Sequence, residues 1–111
     1  MEIITREFKH CDLVEIKGRL DSSNSQQLNE RLNEIMEKGR YKIILDLAEL
    51  DFISSAGLRV LVNTQKTCKR YNRGEVILTR LPSNIKDSLD LVGFTTIFKI
   101  FDDVISAVGN F

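Results

Sequence analysis

The spacing of apolar residues along the chain predicts five β-strands. Residues 1–8 and residues 13–17 lie on either side of a short polar turn, so they predict an antiparallel hairpin. The apolar runs 43–45 and 76–78 are unbroken, which favours strands covered on both faces of a sheet. The five predicted strands span residues 1–8, 13–17, 41–47, 76–78 and 97–101.

Between these strands, apolar residues recur at helical spacing and predict four helices. The helices are expected between the polar residues 21–24 and Gly39, over residues 58 to 71, between residues 82–84 and Gly93, and after Asp102 and Asp103. Side-chain oxygens of residues 21–24 are expected to cap the first helix, and residues 50–57 to form a loop and turn. The residues predicted to face inward are, helix by helix, Leu28, Leu32, Ile35 and Met36; Leu58, Leu61, Val62 and Cys68; Ile85, Leu89 and Val92; and Val104, Ile105 and Val108.

The predicted order of elements is β-β-α-β-α-β-α-β-α. Strands that alternate with helices require crossover connections, which place successive strands parallel to one another. We therefore expect an α/β fold with a mixed, mostly parallel sheet of about five strands and about four helices. No linker or internal repeat interrupts the pattern, so residues 1–111 are expected to form a single domain.

Composition narrows the class of function. The 111 residues carry 16 Lys+Arg and 16 Asp+Glu, and this balance argues against a nucleic-acid-binding protein with a basic excess. No apolar run approaches the roughly 20 residues needed to cross a bilayer, and the first residues lack the layout of a signal peptide. We therefore expect a cytoplasmic protein with no membrane insertion.

Few side chains in the sequence suit catalysis, so an enzyme is not expected. His10 is the only histidine and lies in a predicted turn, and Cys11 and Cys68 alone cannot form a metal site. No glycine-rich phosphate-binding motif is present, and no cofactor is expected. Asp46 follows a buried run, so it needs a partner or access to water, or it caps the next loop. The basic run 66–73 is interpreted as the solvated end of a helix, with partner docking as the alternative.

The segment 51–58 combines two serines with small residues between a buried strand and a helix. Function in α/β sheets is usually located at this end of the strands. The N-terminus of a helix offers unpaired N–H groups and a partial positive charge, which would stabilise a phosphate on Ser54 or Ser55. One of these serines could instead simply cap the helix. The residues alone leave both interpretations open.

Four segments of the sequence resemble the STAS domain, the family that includes anti-sigma factor antagonists and domains of sulfate transporters. The segment 52–58 (Phe-Ile-Ser-Ser-Ala-Gly-Leu) looks like the signature of the family, and residues 18–21 look like its Gly-x-Leu/Ile-Asp motif. The central strand, residues 43–47, and the C-terminal segment 91–98 agree in order and spacing. The resemblance covers essentially the whole chain and implies a STAS domain over residues 1–111.

The resemblance also implies a function, that of an anti-sigma factor antagonist. In the family, an anti-sigma factor with a histidine-kinase-like ATPase fold phosphorylates a serine at the start of this helix, and a metal-dependent phosphatase removes the phosphate. The unphosphorylated form binds the anti-sigma factor. Alignment on Gly57 places the acceptor on Ser55, with Ser54 as a second candidate.

The implied contact surface for the partner comprises Asp21, Ser22, Ser54, Ser55, Ala56, Gly57 and Arg59. The sequence departs from the common Asp-Ser-Ser/Thr-Gly pattern in two places, because Ser54 replaces the Asp and Ala56 replaces the second hydroxyl residue. The alternative function is a constitutive interaction module of a signalling or transporter complex, without a phospho-switch.

Overall fold

The computed structural model of the chain describes residues 1–111 and contains six strands and four helices. The elements in chain order are β1 (Glu2–Glu7), β2 (Asp12–Leu20), α1 (Ser25–Glu37), β3 (Lys42–Asp46), β4 (Leu50–Ile53), α2 (Ser55–Lys69), β5 (Glu75–Thr79), α3 (Ser83–Leu91), β6 (Lys99–Phe101) and α4 (Val104–Gly109). Short 3₁₀ turns follow α2 and α3, at Arg70–Asn72 and Thr95–Ile97. None of the helices combines the length and the apolar character that crossing a membrane requires.

The strands form one mixed sheet in the order β1-β2-β3-β5-β6. β1 pairs with β2 as an antiparallel hairpin, with Glu2 opposite Lys17, and the remaining pairs are parallel. The long strand β2 pairs with β3 over its first half and with β4 near its end, from Gly18 to Leu20. The predicted α/β class, the hairpin and the mostly parallel sheet are thereby confirmed.

Helices cover both faces of the sheet, three on one side and one on the other. The main core contains apolar residues of α1, α2 and α3, packed on Ile43 and Leu45 of β3. Ile44 points to the opposite face, where it joins Ile77 and Ala107 of α4. Alternate residues of one apolar run thus contribute to two different cores, as expected for a central strand covered on both faces.

The segment 50–57 differs from its prediction as a loop and turn. Leu50–Ile53 forms β4, and α2 begins at Ser55, three residues before the predicted start. In β4 only Leu50 and Ile53 are buried, while Asp51 and Phe52 are exposed. A strand is usually recognised in a sequence by alternating apolar and polar residues, and β4 lacks this alternation. Its strand structure comes from pairing with the end of β2.

Two residues predicted to face inward are exposed. Val92 lies beyond the last residue of α3 and is 51% exposed, because the chain turns away at Gly93, whose φ is +73°. Ile105 of α4 is 85% exposed, and the residue that this helix buries is Ala107. Both errors occur at short helices, in which one turn more or less changes the buried face.

Candidate functional site

Helix α2 begins after two adjacent serines whose hydroxyl groups have different surroundings. Ser54 is the N-cap residue, and its Oγ accepts a hydrogen bond from the backbone N–H of Gly57 at 3.2 Å. Its carbonyl accepts from the N–H of Leu58 at 2.9 Å. Serine caps helices well, because its short side chain reaches the unpaired N–H groups of the first turn. The hydroxyl of Ser54 is therefore already engaged in starting the helix.

Ser55 is the first residue of α2, and it is exposed. The backbone N–H groups of Ser55 and Ala56 have no acceptor within the protein, as is usual in the first turn of a helix. No acidic residue lies in this turn, so the partial positive charge of the helix N-terminus is not neutralised there. A negatively charged group on Ser55 would lie beside free N–H donors.

Gly57 is buried and has a packing role rather than a place on the surface. A Cβ atom at this position would lie 2.7 Å from Cγ of Leu20 and 3.0 Å from Cγ1 of Ile53. Only a residue without a side chain lets the first turn of α2 approach the ends of β2 and β4 this closely. The Cβ position of Gly57 therefore faces the core, and the contact of Gly57 with a partner stays a prediction.

The turn between β2 and α1 is held by its own side chains. Oδ1 of Asp21 accepts hydrogen bonds from the backbone N–H of Ser23 at 3.0 Å and from the Ser23 hydroxyl at 2.5 Å. These bonds hold the pKa of the Asp21 carboxyl below its usual range. Asn24 accepts from the N–H of Asp21 and donates to the carbonyl of Arg19. The predicted side-chain cap of α1 does not form, because these oxygens bind within the turn.

Pairing between β2 and β4 brings this turn next to the start of α2. Leu20 lies opposite Ile53 in the sheet, and the backbone N–H of Ser54 donates to the carbonyl of Leu20 at 2.9 Å. Asp21 follows β2 and Ser54 follows β4, so these two residues lie side by side where the chain leaves the sheet. Asp21, Ser22, Ser54, Ser55, Ala56 and Arg59 are all at least partly exposed at this end of the molecule.

A groove of about 350 Å³ runs beside α2 from Ser55 toward the C-terminal half of the helix. Its apolar lining comes from Leu58 and Val62 of α2 and from Val92 and Phe94. Its polar lining consists of Ser55, Arg59, Asn63 and Lys66. The sequence does not predict Val92 and Phe94 as surface residues, because the turn at Gly93 that presents them leaves no periodic signal.

An exposed aromatic residue lies on β4, close to the start of α2. Phe52 is 38% exposed, and the guanidinium of Arg19 lies 4.2 Å from the centroid of its ring. A cation at this distance from a ring is attracted by its electron-rich face. Phe52 lies opposite Arg19 in the β2–β4 pair. The sequence does not predict this pair, because residues 50–57 are expected to form a loop and not a strand beside β2.

Asp46, at the end of β3, has the partner that its burial requires. The carboxylate of Asp46 is almost fully buried and forms a two-point ion pair with Arg80, whose Nε lies 3.0 Å from Oδ1. The Asp46 carboxylate raises the pKa of the Arg80 guanidinium. The N–H of Ala48 donates to the same carboxylate at 3.3 Å. These contacts connect the ends of β3 and β5 and give Asp46 a structural role.

The cysteines and the histidine lie away from Ser55. Cys11 and Cys68 are buried, and burial raises the pKa of both thiols, that of Cys68 to about 12. A thiol with such a pKa remains protonated near neutral pH and is a poor nucleophile. His10 is exposed in the turn between β1 and β2, as predicted.

Comparison with known proteins places the chain in a family. The model of the STAS domain matches residues 2–107. BtrV of Bordetella bronchiseptica, which is named as a candidate anti-sigma factor antagonist, is 33% identical over 96 residues, which are 86% of this chain and 82% of BtrV.

Solved structures agree with this match. The crystal structure of tm1081 from Thermotoga maritima gives a TM-score of 0.90 at 23% identity and covers 97% of this chain and 92% of that one. The Bacillus protein SpoIIAA gives TM-scores of 0.77 unphosphorylated and 0.78 phosphorylated, both at 14% identity. Each form covers 98% of this chain, and the coverage of SpoIIAA is 96% and 98%. The signature around Ser55, the topology of the sheet and the match over residues 2–107 together show that the chain belongs to the STAS domain family.

Proposed function

We propose that this chain is an anti-sigma factor antagonist that is switched off by phosphorylation of Ser55. The observation that carries the proposal is the different state of the two serines at the start of α2. The Ser54 hydroxyl accepts from the N–H of Gly57, whereas Ser55 is exposed and lies beside free N–H groups. Of the two serines, Ser55 is the one whose hydroxyl can be modified without removing a helix cap.

The replacement of Asp by Ser at position 54 is compatible with this switch. Asp and Ser both cap helices by accepting from an N–H of the first turn, and Ser54 makes this bond. The geometry that a family Asp would give to the following serine is thereby retained. What changes is the charge, because Ser54 places no carboxylate beside the acceptor.

A phosphate on Ser55 is expected to change the surface and leave the fold intact. It adds a charge of about −1.5 to −2 to a protein whose net charge is zero. The N-terminus of α2 stabilises that charge. The fold matches the unphosphorylated and phosphorylated forms of SpoIIAA equally well, with TM-scores of 0.77 and 0.78, which supports a switch without refolding.

The proposed partner surface comprises Asp21, Ser22, Ser54, Ser55, Ala56 and Arg59, extended by the groove beside α2. The apolar lining of this groove gives a partner surface to bury, and Ser55 lies at its edge. A phosphate there would lose its hydrating water when a partner binds, and the surface of that partner would fit only the unmodified hydroxyl of Ser55. A loss of 3–4 kcal/mol would weaken binding several hundredfold, by roughly two and a half powers of ten.

The proposed partners follow from the family and from the chemistry of the switch. An anti-sigma factor with a histidine-kinase-like ATPase fold would bind the unphosphorylated chain and transfer phosphate to Ser55. A metal-dependent serine phosphatase would restore the binding form. In this role the chain acts as a regulatory binding protein in the cytoplasm and not as an enzyme. BtrV, at 33% identity, is named as a candidate anti-sigma factor antagonist.

Mapping of phosphate on the chain tests the proposal. The wild type, Ser54→Ala, Ser55→Ala and Ser83→Ala are each purified from the cells that produce the protein, in growing and in stationary phase, and fragmented in a mass spectrometer. Ser83 is the matched control, because it is exposed and is the first residue of α3. We expect phosphate on Ser55 in all variants except Ser55→Ala.

Two results would contradict the proposal in different ways. Phosphate on Ser54 alone would reject the assignment of Ser55 and keep a switch at this turn. No phosphate on either serine in any sample would favour a constitutive interaction module, in which Ser54 caps α2 and Ser55 has no regulatory role.

A further inference from the structure

The end of the molecule opposite Ser55 carries a concentration of positive charge. The chain from residue 52 to residue 74, which includes all of α2, contains five cations and no Asp or Glu. Ser55 and Lys69 are the first and last residues of α2, whose 15 residues separate the two ends by about 22 Å. We name the cationic surface at the far end the basic pole; its residues are Lys9, Arg40, Lys42, Lys69, Arg70, Arg73 and Lys99.

Two adjoining cavities lie in the basic pole. One, of about 500 Å³, is lined by Lys42, Lys69 and Lys99 together with Glu75. The other, of about 310 Å³, is lined by Lys9, Arg40, Lys42 and Arg73 and by no acidic residue, and the Arg40 guanidinium is paired with Asp12 at 2.9 Å. Lys42 lines both cavities. The side chain of Glu75 is neutralised by Lys99 at 3.1 Å, so Lys42 and Lys69 remain without an acidic partner in the protein.

Tyrosine and arginine side chains form the outer part of the basic pole. Tyr71 is 79% exposed, and the guanidinium of Arg73 lies 5.4 Å from its ring centroid and 4.8 Å from that of Tyr41. Nη1 of Arg73 also donates to the hydroxyl of Tyr41 at 2.8 Å. Tyrosine and arginine are among the residue types most enriched at the energetic centres of protein interfaces.

The backbone that presents Tyr71 is strained. Tyr71 and Asn72 have φ values of 59° and 56°, in the left-handed region that residues other than glycine seldom adopt. Two consecutive residues in this region are energetically unfavourable, and such strain is concentrated at functional sites. The strained turn directs the aromatic ring of Tyr71 outward, although an aromatic ring is more stable when it is buried.

We propose that the basic pole binds an acidic segment of a second protein, independently of the partner at Ser55. Carboxylates of that segment reach Lys42 and Lys69 in the cavities, and its backbone packs on Tyr71. A protein segment fits better than nucleic acid, because the net charge of the chain is zero, whereas a nucleic-acid-binding domain usually carries a basic excess. The chain would then join two proteins, one at each end of α2.

Fluorescence anisotropy with a defined probe tests this proposal. The probe is a fluorescein-labelled 16-residue peptide rich in Glu and Leu, and its control has Gln at every Glu position. The tested variant is Lys69→Glu/Arg70→Glu, and the control variant, Arg6→Glu/Lys86→Glu, makes the same change of charge away from the basic pole. All four substituted residues are exposed, so the fold is retained, which circular dichroism verifies.

We expect the acidic peptide to bind the wild type and the control variant alike, and the Lys69→Glu/Arg70→Glu variant about tenfold or more weakly. Added salt should weaken binding, and Tyr71→Ala should weaken it as well. Equal affinity of the Glu and Gln peptides, equal affinity of both charge-changed variants, or no binding of the acidic peptide would overturn the proposal. Tighter binding of a 16-nucleotide single-stranded DNA than of the peptide would also overturn it and identify a nucleic-acid surface.

Discussion

At the scale of single residues, the absence of a side chain at Gly57 determines how closely α2 packs against the sheet. Gly57 lies against Leu20 and Ile53, the last residues of β2 and β4. The same contact fixes where Ser54 and Ser55 leave the sheet, because Ile53 directly precedes them. The segment Ser55-Ala56-Gly57 was predicted to bind a partner. Gly57 also packs against the sheet, and the sequence pattern alone did not distinguish this packing from partner binding.

Replacement of Gly57 by Ala should destabilise the protein by about 1–3 kcal/mol, because the new methyl group overlaps Leu20 and Ile53. Urea denaturation measures this change in the free energy of unfolding. Gly109→Ala is the matched control, since no atom lies within 4 Å of its Cβ position, and its stability should equal or slightly exceed that of the wild type. Equal stability of both variants would show that α2 can move away from the sheet.

The two thiols should be unreactive in the folded protein. Burial raises the pKa of Cys68 to about 12 from an ordinary value of 9.0, so the folded state retains the thiol proton at pH values where the unfolded state loses it. Stability should therefore fall as the pH rises above 9 toward 12. At pH 8, iodoacetamide should modify neither cysteine until a denaturant is added. Rapid labelling of Cys68 without denaturant, detected by intact mass, would contradict this burial.

At the scale of elements, a buried glutamine completes the hydrogen bonding of a strand. Nε2 of Gln65 donates to the carbonyls of Val76 at 3.1 Å and Ile97 at 3.0 Å, and its Oε1 accepts from the N–H of Val76 at 2.6 Å. The strand β6 begins at Lys99, opposite Ile77, so it does not extend to Val76. Gln65 satisfies the backbone groups that a longer β6 would have paired.

Gln65→Leu should destabilise the protein by about 1–3 kcal/mol, because a buried N–H and a buried carbonyl lose their partners. Gln27→Leu, an equivalent change at an exposed position of α1, should alter stability by less than about 0.5 kcal/mol. Thermal or urea unfolding of the two variants measures the difference. A Gln65→Leu variant as stable as the wild type would mean that water or a shift of α2 satisfies Val76.

Elements with strong periodicity could be predicted from the sequence, and those determined by neighbouring strands could not. Leu58, Leu61, Val62 and Cys68 form an apolar stripe, and all four are buried in α2. The runs in β3 and β5 are buried on both faces, as their unbroken apolar character indicated. β4 gave no such signal, because it exists through pairing with the end of β2. For the same reason, the exposed pair of Arg19 and Phe52 was not found.

The same distinction holds for the candidate site. The order Ser54-Ser55 next to a helix start indicated a cap or a phosphorylation site. The residues alone did not assign the two roles, and only the family resemblance placed the acceptor on Ser55. The structure assigns the cap to Ser54. The groove residues Val92 and Phe94 were not predicted as features of the site, because two turn residues produce no periodic pattern.

At the scale of the whole molecule, parallel strands separate two surfaces with different charge. Their C-terminal ends carry the start of α2 and the turn at Asp21, and their N-terminal ends carry the basic pole. The positive and negative charges of the chain sum to zero but are unevenly distributed, since all charged side chains of residues 52–74 are cations. A phosphate on Ser55 would change the end of α2 that lies far from the basic pole.

The affinity of the chain for its anti-sigma factor, with and without phosphate on Ser55, tests the central claim most directly. Isothermal titration calorimetry compares the unphosphorylated chain, the chain phosphorylated at Ser55 and the matched variants Ser55→Glu and Ser83→Glu. We predict binding several hundredfold weaker after phosphorylation, a weakening in the same direction for Ser55→Glu, and no change for Ser83→Glu. Equal affinities of the phosphorylated and unphosphorylated chains would contradict the switch.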